Sequence, residues 1–383
     1  MGRKIDFEKI LGRVFIVLLA SLISVFLIDR ASLFFLTHRK SDIERSFPVQ
    51  DMRQPKPYVM FGGKPHGESW PLRMNSGELR IAILNELGYR WHAPKFPKPK
   101  GEFRIIVLGG SAAFMGNPPV PRLIQYQFEK KGCYDVKVYN FAVVSSVTSM
   151  ELARMVFDVV NHDPDLVISY SGFNDIDLPF ESDPRPGFPF NYAVYENNPL
   201  LESDIKSYPA LTLFLYGSNL MRYFFPRYFV NKFVDMEALR EKSGYCSEPW
   251  EEEIADIYID NMLKSHKIAK AFGADFMCFL QPALYFKKNF SDKEKEYIDV
   301  ARQKNALRIK DLILKKIAGE QQQSFLFYDL TGMFDNNPES IFTDRVHVYY
   351  RFRPVIAKKI YAAIMDYFHD HPQIPLNSEC RAK

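Results

Sequence analysis

The hydrophobic pattern of the chain changes character three times. Val14 to Ile28 reads VFIVLLASLISVFLI without a charge, too continuous for the one-sided stripe of a surface helix. From about Ser41 to Lys100 periodicity fades, and Pro, Gly and polar residues take over. From Phe103 onward, short apolar runs of strand length alternate with longer stretches of helical period.

The alternation predicts strands at 103–108, 135–141, 165–170, 275–280 and 324–330. Helices are expected at 120–131, 149–161 and 353–368, and a short one at 76–87. Ser291-Asp-Lys-Glu294 matches a capping box. Ile298, Ala301, Ile309, Leu312, Ile313 and Ile317 follow it at helical spacing, so one long helix is expected from that cap. Strands alternating with helices mean an α/β fold, a parallel sheet covered on both faces.

The apolar run near the start has a different meaning. Begun at Ile10, with Arg13 snorkelling, it reaches the ~20 residues that span a bilayer. No A-x-A cleavage site follows, which favours a retained anchor over a removed signal peptide. Basic residues flank the run on both sides, so the positive-inside rule sets no orientation. Three parts result: an anchor at 1–40, a linker packing on the domain at 41–100, and an α/β domain at 101–383.

One stretch breaks the alternation. The insert at 176–273 leaves the sheet after Asn174-Asp175, at the carboxyl edge where sites form. Its first half is rich in Pro, Phe and Tyr, and its second half, 250–272, reads as helix. It could cover the site as a lid, pack as an appendage, or rest on a membrane.

Composition removes several function classes. Fifty basic against 46 acidic residues give a net charge of +4, with no basic stripe, so no nucleic-acid partner is expected. The four cysteines (Cys133, Cys246, Cys278, Cys380) form no CxxC pair, and the histidines have no ligand spacing. No metal site is expected. The simplest reading of the cysteines is lone, partly buried thiols, although an extracytoplasmic domain could pair them. Neither G-x-G-x-x-G nor a P-loop occurs, so no nucleotide cofactor is expected.

Four blocks carry chemistry, and all fall at the carboxyl ends of predicted strands. They are Gly109-Gly110-Ser111, the stretch from Asn140 to Glu151, Gly172-Phe-Asn174-Asp175, and Asp344-Arg-Val-His347. A serine hydroxyl needs a base to become a nucleophile. His347 can be that base, and Asp344 on the same turn can orient its ring. The Ser111 amide, a backbone amide near Ser145 and the Asn174 side chain can serve as oxyanion donors.

These blocks resemble those of the SGNH hydrolases, the GDSL-like esterases and lipases. Ser111 matches the nucleophile, Asn174 the asparagine of G-x-N-D, and Asp344 with His347 the D-x-x-H of the last block. Ser145 falls where the oxyanion glycine stands. Glu86-Leu-Gly-Tyr-Arg90 and Tyr328-Asp-Leu-Thr331 are similar to the membrane-anchored bacterial branch. The resemblance covers about 87–368 apart from the insert. It implies a flavodoxin-like three-layer α/β/α fold with a five-stranded parallel sheet, no cofactor, and a domain on the periplasmic side of the membrane. The chain departs from the family pattern at Gly110, where aspartate is usual, at Ser145, and at Phe352.

Three activities follow as expectations. The first is a membrane-anchored serine esterase or deacylase. The second is an O-acyltransferase modifying a cell-envelope glycan with the same triad. The third is a non-catalytic scaffold or glycan-binding protein, motivated by Ser145. The expected partners are an acyl ester or acylated glycan and the membrane.

Overall fold

The computed structural model describes residues 7–38, 53–67, 72–73, 79–80, 83–190, 192–196, 218–220, 234–319, 325–377 and 380. The chain forms two compact units. One comprises Met1–Pro48 and Ala193–Met236, the other Val49–Tyr192 and Glu237–Lys383.

In the first unit, helix α1 (Phe7–His38) contains the apolar span Leu11–Phe35, with mean hydropathy 2.6, long enough to cross a membrane. Its large apolar side chains face outward from the protein. Between Leu11 and Phe35 only Asp29 and Ser32 are covered.

The second unit is built on a five-stranded parallel sheet. Its strands are β1 (Phe103–Gly109), β2 (Val136–Asn140), β3 (Leu166–Ser171), β4 (Asp275–Leu280) and β5 (Leu326–Asp329). They lie in the order β2-β1-β3-β4-β5, which is the flavodoxin-like order. β1 and β3 are buried along their whole length, which is why they read as unbroken apolar runs and not as alternation. Side chains nevertheless alternate between two cores. Ile106, Leu108, Val167 and Phe276 join one, while Ile105, Val107, Ile168 and Met277 join the other.

The first core is closed by α3 (Thr148–Phe157), α5 (Glu248–Ala271) and α6 (Val300–Gly319). The second is closed by α2 (Val120–Lys130) and α7 (Arg353–Asp370). A short helix, α4 (Phe173–Glu181), starts directly after β3. Thus α5, the helical half of the sequence insert, runs between β3 and β4 and covers one sheet face.

Two local expectations are corrected. The capping box at Ser291 and Glu294 forms, but its helix is one turn, Asp292–Lys295. Glu294 also accepts the Ile341 and Phe342 amides at 2.8 and 3.0 Å and the Lys287 ammonium at 2.6 Å. A second start signal, Asp299 accepting the Arg302 amide at 3.1 Å, opens α6. The helix expected at 76–87 is not found among the described residues. Leu79–Arg80 pairs with Leu72–Arg73 instead. The Asn85 side chain accepts the Leu87 and Tyr89 amides, both at 3.0 Å, and turns the chain back.

The cysteines differ too. Cys133 and Cys380 form a disulfide with Cα atoms 5.0 Å apart. Cys278 is a buried thiol beside the Tyr258 hydroxyl at 3.1 Å, and Cys246 is free.

Candidate active site

In the order β2-β1-β3 the connections leave in opposite directions from β1 and β3. The crevice at their carboxyl ends is the topological switch point, where open α/β sheets bind ligands. Ser111 follows β1 and Asn174 follows β3, so the fold alone brings both to this crevice.

Ser111 is the first residue of a helical turn, Ser111–Phe114, and is 8% exposed. An amide in that position has no intrahelical acceptor and is available to a ligand. Gly110 before it has no room for a side chain. A Cβ there would stand 2.3 Å from Asn174 Nδ2. The glycine at this position therefore goes with a close packing of the Ser111 turn on Asn174.

Asn174 Nδ2 donates to the Ser146 carbonyl at 2.8 Å. A primary amide has a second N–H, which this bond does not use. Gly172 starts α4 with φ +109°, and a Cβ on it would meet Leu280 Cδ1 at 2.4 Å. Asp175 is buried and ties two helix starts together. Its Oδ1 accepts the Thr148 amide at 2.9 Å and the Thr148 hydroxyl at 2.5 Å. Asn261 Nδ2 on α5 donates to the same hydroxyl at 3.0 Å. Burial raises the Asp175 carboxyl to about 6, against the opposing pull of the Thr148 bonds.

Ser145 has φ +62°, the left-handed region. That is the conformation for which glycine is the ordinary choice. Serine here holds a backbone conformation that glycine adopts freely. Arg154 holds the surrounding loop: Nη1 donates to the Phe141 carbonyl and Nη2 to Ser146 Oγ at 3.0 Å.

Asp344 and His347 form a closed unit. Asp344 Oδ2 meets His347 Nδ1 at 2.7 Å. Its Oδ1 accepts the Val346 and His347 amides, each at 2.8 Å. Burial works to raise the Asp344 carboxyl, but the His347 bond and charge and the two amides outweigh it and hold the group below its ordinary value. The pairing therefore persists at neutral pH and is lost only as pH falls through that lowered value. Among the described residues His347 Nε2 has no hydrogen-bond partner, so the serine–histidine bond of a triad is not formed there.

The histidine loop is fixed to the same edge of the sheet. The Leu284 amide, just after β4, donates to the Arg345 carbonyl at 2.9 Å. Arg345 pairs with Asp177 at 3.3 Å and with Glu181, both on α4. The Arg353 guanidinium at the start of α7 lies against Gly116, in the loop after Ser111. The structure thus brings Gly110, Ser146 and Asn174 into one contact group and Asp344 with His347 into another, at the same sheet edge.

Sequence reasoning quoted Tyr89, Arg90 and Glu151 within longer stretches but gave none of them, nor Arg154, a part in holding these groups. Arg90 is buried and donates from Nη1 to the Phe114 and Gly116 carbonyls at 2.7 and 2.5 Å. Tyr89 beside it stacks on Phe141 with centroids 4.1 Å apart. The linker is therefore seated firmly at Tyr89 and Arg90, more than its composition suggests. Glu151 is buried under β3, its Oε2 accepting Ser169 and Ser171 hydroxyls at 2.9 and 3.2 Å. Burial pushes its carboxyl up to about 7, despite the opposing Arg154 charge and with help from Asp175. Besides the resemblance of Glu86–Arg90, the signal for these groups was a charge on an otherwise apolar face, as with Glu151 and Arg154 in α3.

No family model matches the chain, and no curated protein matches it. Among solved structures, similarity is found to an acetyl xylan esterase at 14% identity, covering 68% of this chain and 99% of that one, with a TM-score of 0.39. A GDSL-like lipase from Bacteroides thetaiotaomicron is similar at 14% identity over 71% of this chain and 93% of its own, TM-score 0.36. A catalytic mutant of an acetylxylan esterase from Geobacillus stearothermophilus is similar at 14% identity over 67% and 91%, TM-score 0.37. At that level of likeness they say nothing about chemistry, which has to be read from the site's own atoms.

Proposed function

We propose that the protein is a membrane-anchored serine esterase or deacylase of the SGNH type. The observation that carries this reading is the Asp344–His347 pair at 2.7 Å with Nε2 left unpartnered, on the sheet edge that also carries Ser111. In the proposed reaction Ser111 Oγ attacks the ester carbonyl carbon while His347 Nε2 takes its proton. The Ser111 and Ser145 amides and the Asn174 side chain stabilise the oxyanion. The tetrahedral intermediate collapses to an acyl-serine, and the imidazolium proton leaves with the alcohol. Water, deprotonated by His347, then releases the acid. Catalytic bonds are often long without substrate and tighten in the complex, which accommodates the unformed serine–histidine bond.

The left-handed Ser145 supports catalysis over a non-catalytic scaffold, because the backbone amide keeps the conformation a glycine would give it. The disulfide supports an extracytoplasmic location, since such bonds persist in oxidising compartments.

The test is labelling by a serine-directed fluorophosphonate together with p-nitrophenyl acetate hydrolysis. Wild-type protein is expected to label and hydrolyse. Ser111→Ala and His347→Ala should lose both, with rates down roughly 10^3-fold or more. Undiminished labelling of Ser111→Ala would refute the assignment.

A further inference from the structure

The loop that carries His347 is tied to the rest of the fold at its base and at its tip. At the base, Glu294 accepts the Ile341 and Phe342 amides. At the tip, Arg345 reaches two elements. Its carbonyl accepts the Leu284 amide at 2.9 Å. Its guanidinium faces α4, with Nη1 3.3 Å from Asp177 Oδ2 and Nη2 donating to Glu181 Oε1.

The same two carboxylates meet a second guanidinium. Arg302 on α6 stands with Nε 3.0 Å from Asp177 Oδ1 and Nη2 3.3 Å from Glu181 Oε1. Its Nη2 also donates to the Asp177 carbonyl at 3.0 Å, and its guanidinium carbon lies over the Phe180 ring, 5.6 Å from the centroid. Arg302 is thus held against α4, whereas Arg345 comes from the histidine loop. Two acids alternate with two guanidiniums, and Asp177 is buried among them.

A buried ion pair adds little net stability, because desolvation offsets the attraction. What this cluster fixes is geometry. Asn174, Asp177 and Glu181 fall at positions i, i+3 and i+7 of α4, within one face of the helix. Asp175, between them, accepts from Thr148 at the start of α3, next to the Ser145–Ser146 loop. One short helix therefore carries the oxyanion amide of Asn174, braces the loop of Ser145 and, through Arg345, holds the loop of His347.

We propose that Arg345 is a positioning residue, which couples the histidine loop to α4 and so sets the spacing between the base at His347 and the oxyanion donor at Asn174. The chemical roles of those two groups rest on the esterase reading; the mechanical coupling does not. Arg345 acts through its neighbours and not on the substrate.

Two measurements on the full-length chain in detergent test this. The first is hydrolysis of p-nitrophenyl acetate at pH 8, where Asp177, raised by burial to about 6, is ionised. Arg345→Met should lower kcat by roughly 10- to 100-fold, the cost of a misplaced catalytic group, and leave KM nearly unchanged. Arg345→Lys keeps the charge but not the fork and should recover part of the loss. Asp177→Asn breaks the same tie, so the double variant should be no slower than the slower single one. Losses that multiply, or a wild-type kcat in Arg345→Met, would overturn the proposal.

The second measurement is amide hydrogen exchange, which needs no turnover. In Arg345→Met, peptides covering 343–348, where the Val346 and His347 amides donate to Asp344, and 174–181 should exchange several-fold faster, while β1 keeps its wild-type rates. Arg345→Lys should fall between, and it carries the same test at smaller amplitude where the methionine variant fails to fold. Unchanged exchange in the loop, or faster exchange in the loop alone, would refute the coupling whether or not the wild-type protein hydrolyses esters. A lack of wild-type hydrolysis counts against the esterase reading alone, so the two failures are distinguishable.

Discussion

Glu151→Gln is the substitution whose outcome the structure constrains most closely. The Glu151 carboxyl lies buried beneath β3, bonded to Ser169 and Ser171 and facing Asp175. Its folded-state value is pushed from 4.5 up to about 7, chiefly by burial. The unfolded chain therefore gives up this proton first as pH rises. Stability contributed by the protonated acid is complete below 4.5, falls through the interval up to about 7, and is flat above it. At 1.36 kcal/mol per pH unit, that interval is worth about 3 kcal/mol. A glutamine keeps a carbonyl to accept the two hydroxyls and cannot ionise. Its amide group stands where Glu151 Oε1 has no partner, which costs about 1 kcal/mol at every pH. The net expectation is slight destabilisation at pH 4.5 and stabilisation of about 2 kcal/mol at pH 8. The assay is thermal unfolding in detergent at both pH values. At roughly 2–4 °C per kcal/mol, the crossover should be several degrees wide. A loss of stability of equal size at pH 4.5 and pH 8 would show that Glu151 is ionised in the native protein and would refute the reasoning.

Further expectations concern the proposed site at the sheet edge. Gly110→Ala should push Asn174 aside and lower kcat toward the roughly 10^2-fold cost of losing an oxyanion donor, with little change in melting temperature, read by steady-state hydrolysis. Ser145→Gly should retain activity and change stability by no more than about 1 kcal/mol, because relief of a left-handed serine offsets the added chain entropy of glycine. Ser145→Val should lose both activity and stability, a β-branched side chain being poorly tolerated in that region. Arg154→Met leaves the Phe141 carbonyl and the Ser146 hydroxyl without their donor, and should cost about 2–3 kcal/mol by chemical denaturation while lowering kcat.

How much was legible beforehand depends on where each residue's partners lie. The five strands stood out because their apolar runs answer to burial on both sheet faces, a local property of sequence. Ser111, Asn174 and His347 could be named because each follows a strand or precedes a helix at one edge. Arg90 and Arg154 could not be placed, since a lone arginine in an amphipathic stretch looks like a solvated surface group until its carbonyl acceptors are seen. The long helix expected from Ser291 failed for a similar reason. Glu294 serves the Ile341 and Phe342 amides as well as its own cap, and those lie far away in sequence. Asp29 is the extreme case, an acid whose three donors, Ser218, Asn219 and Leu220, arrive from the insert.

The Cys133–Cys380 disulfide has a consequence for the integrity of the molecule as a covalent object. One cysteine sits on the half of the chain that carries Ser111, the other on the half that carries Asp344 and His347. A protease cutting anywhere in the long segment between Asp175 and Ala274 would yield two polypeptides, with Ser111 on one piece and the Asp344–His347 pair on the other. The clasp keeps those pieces as one particle. Such a nicked protein would run as a single band without reductant and as two bands with it.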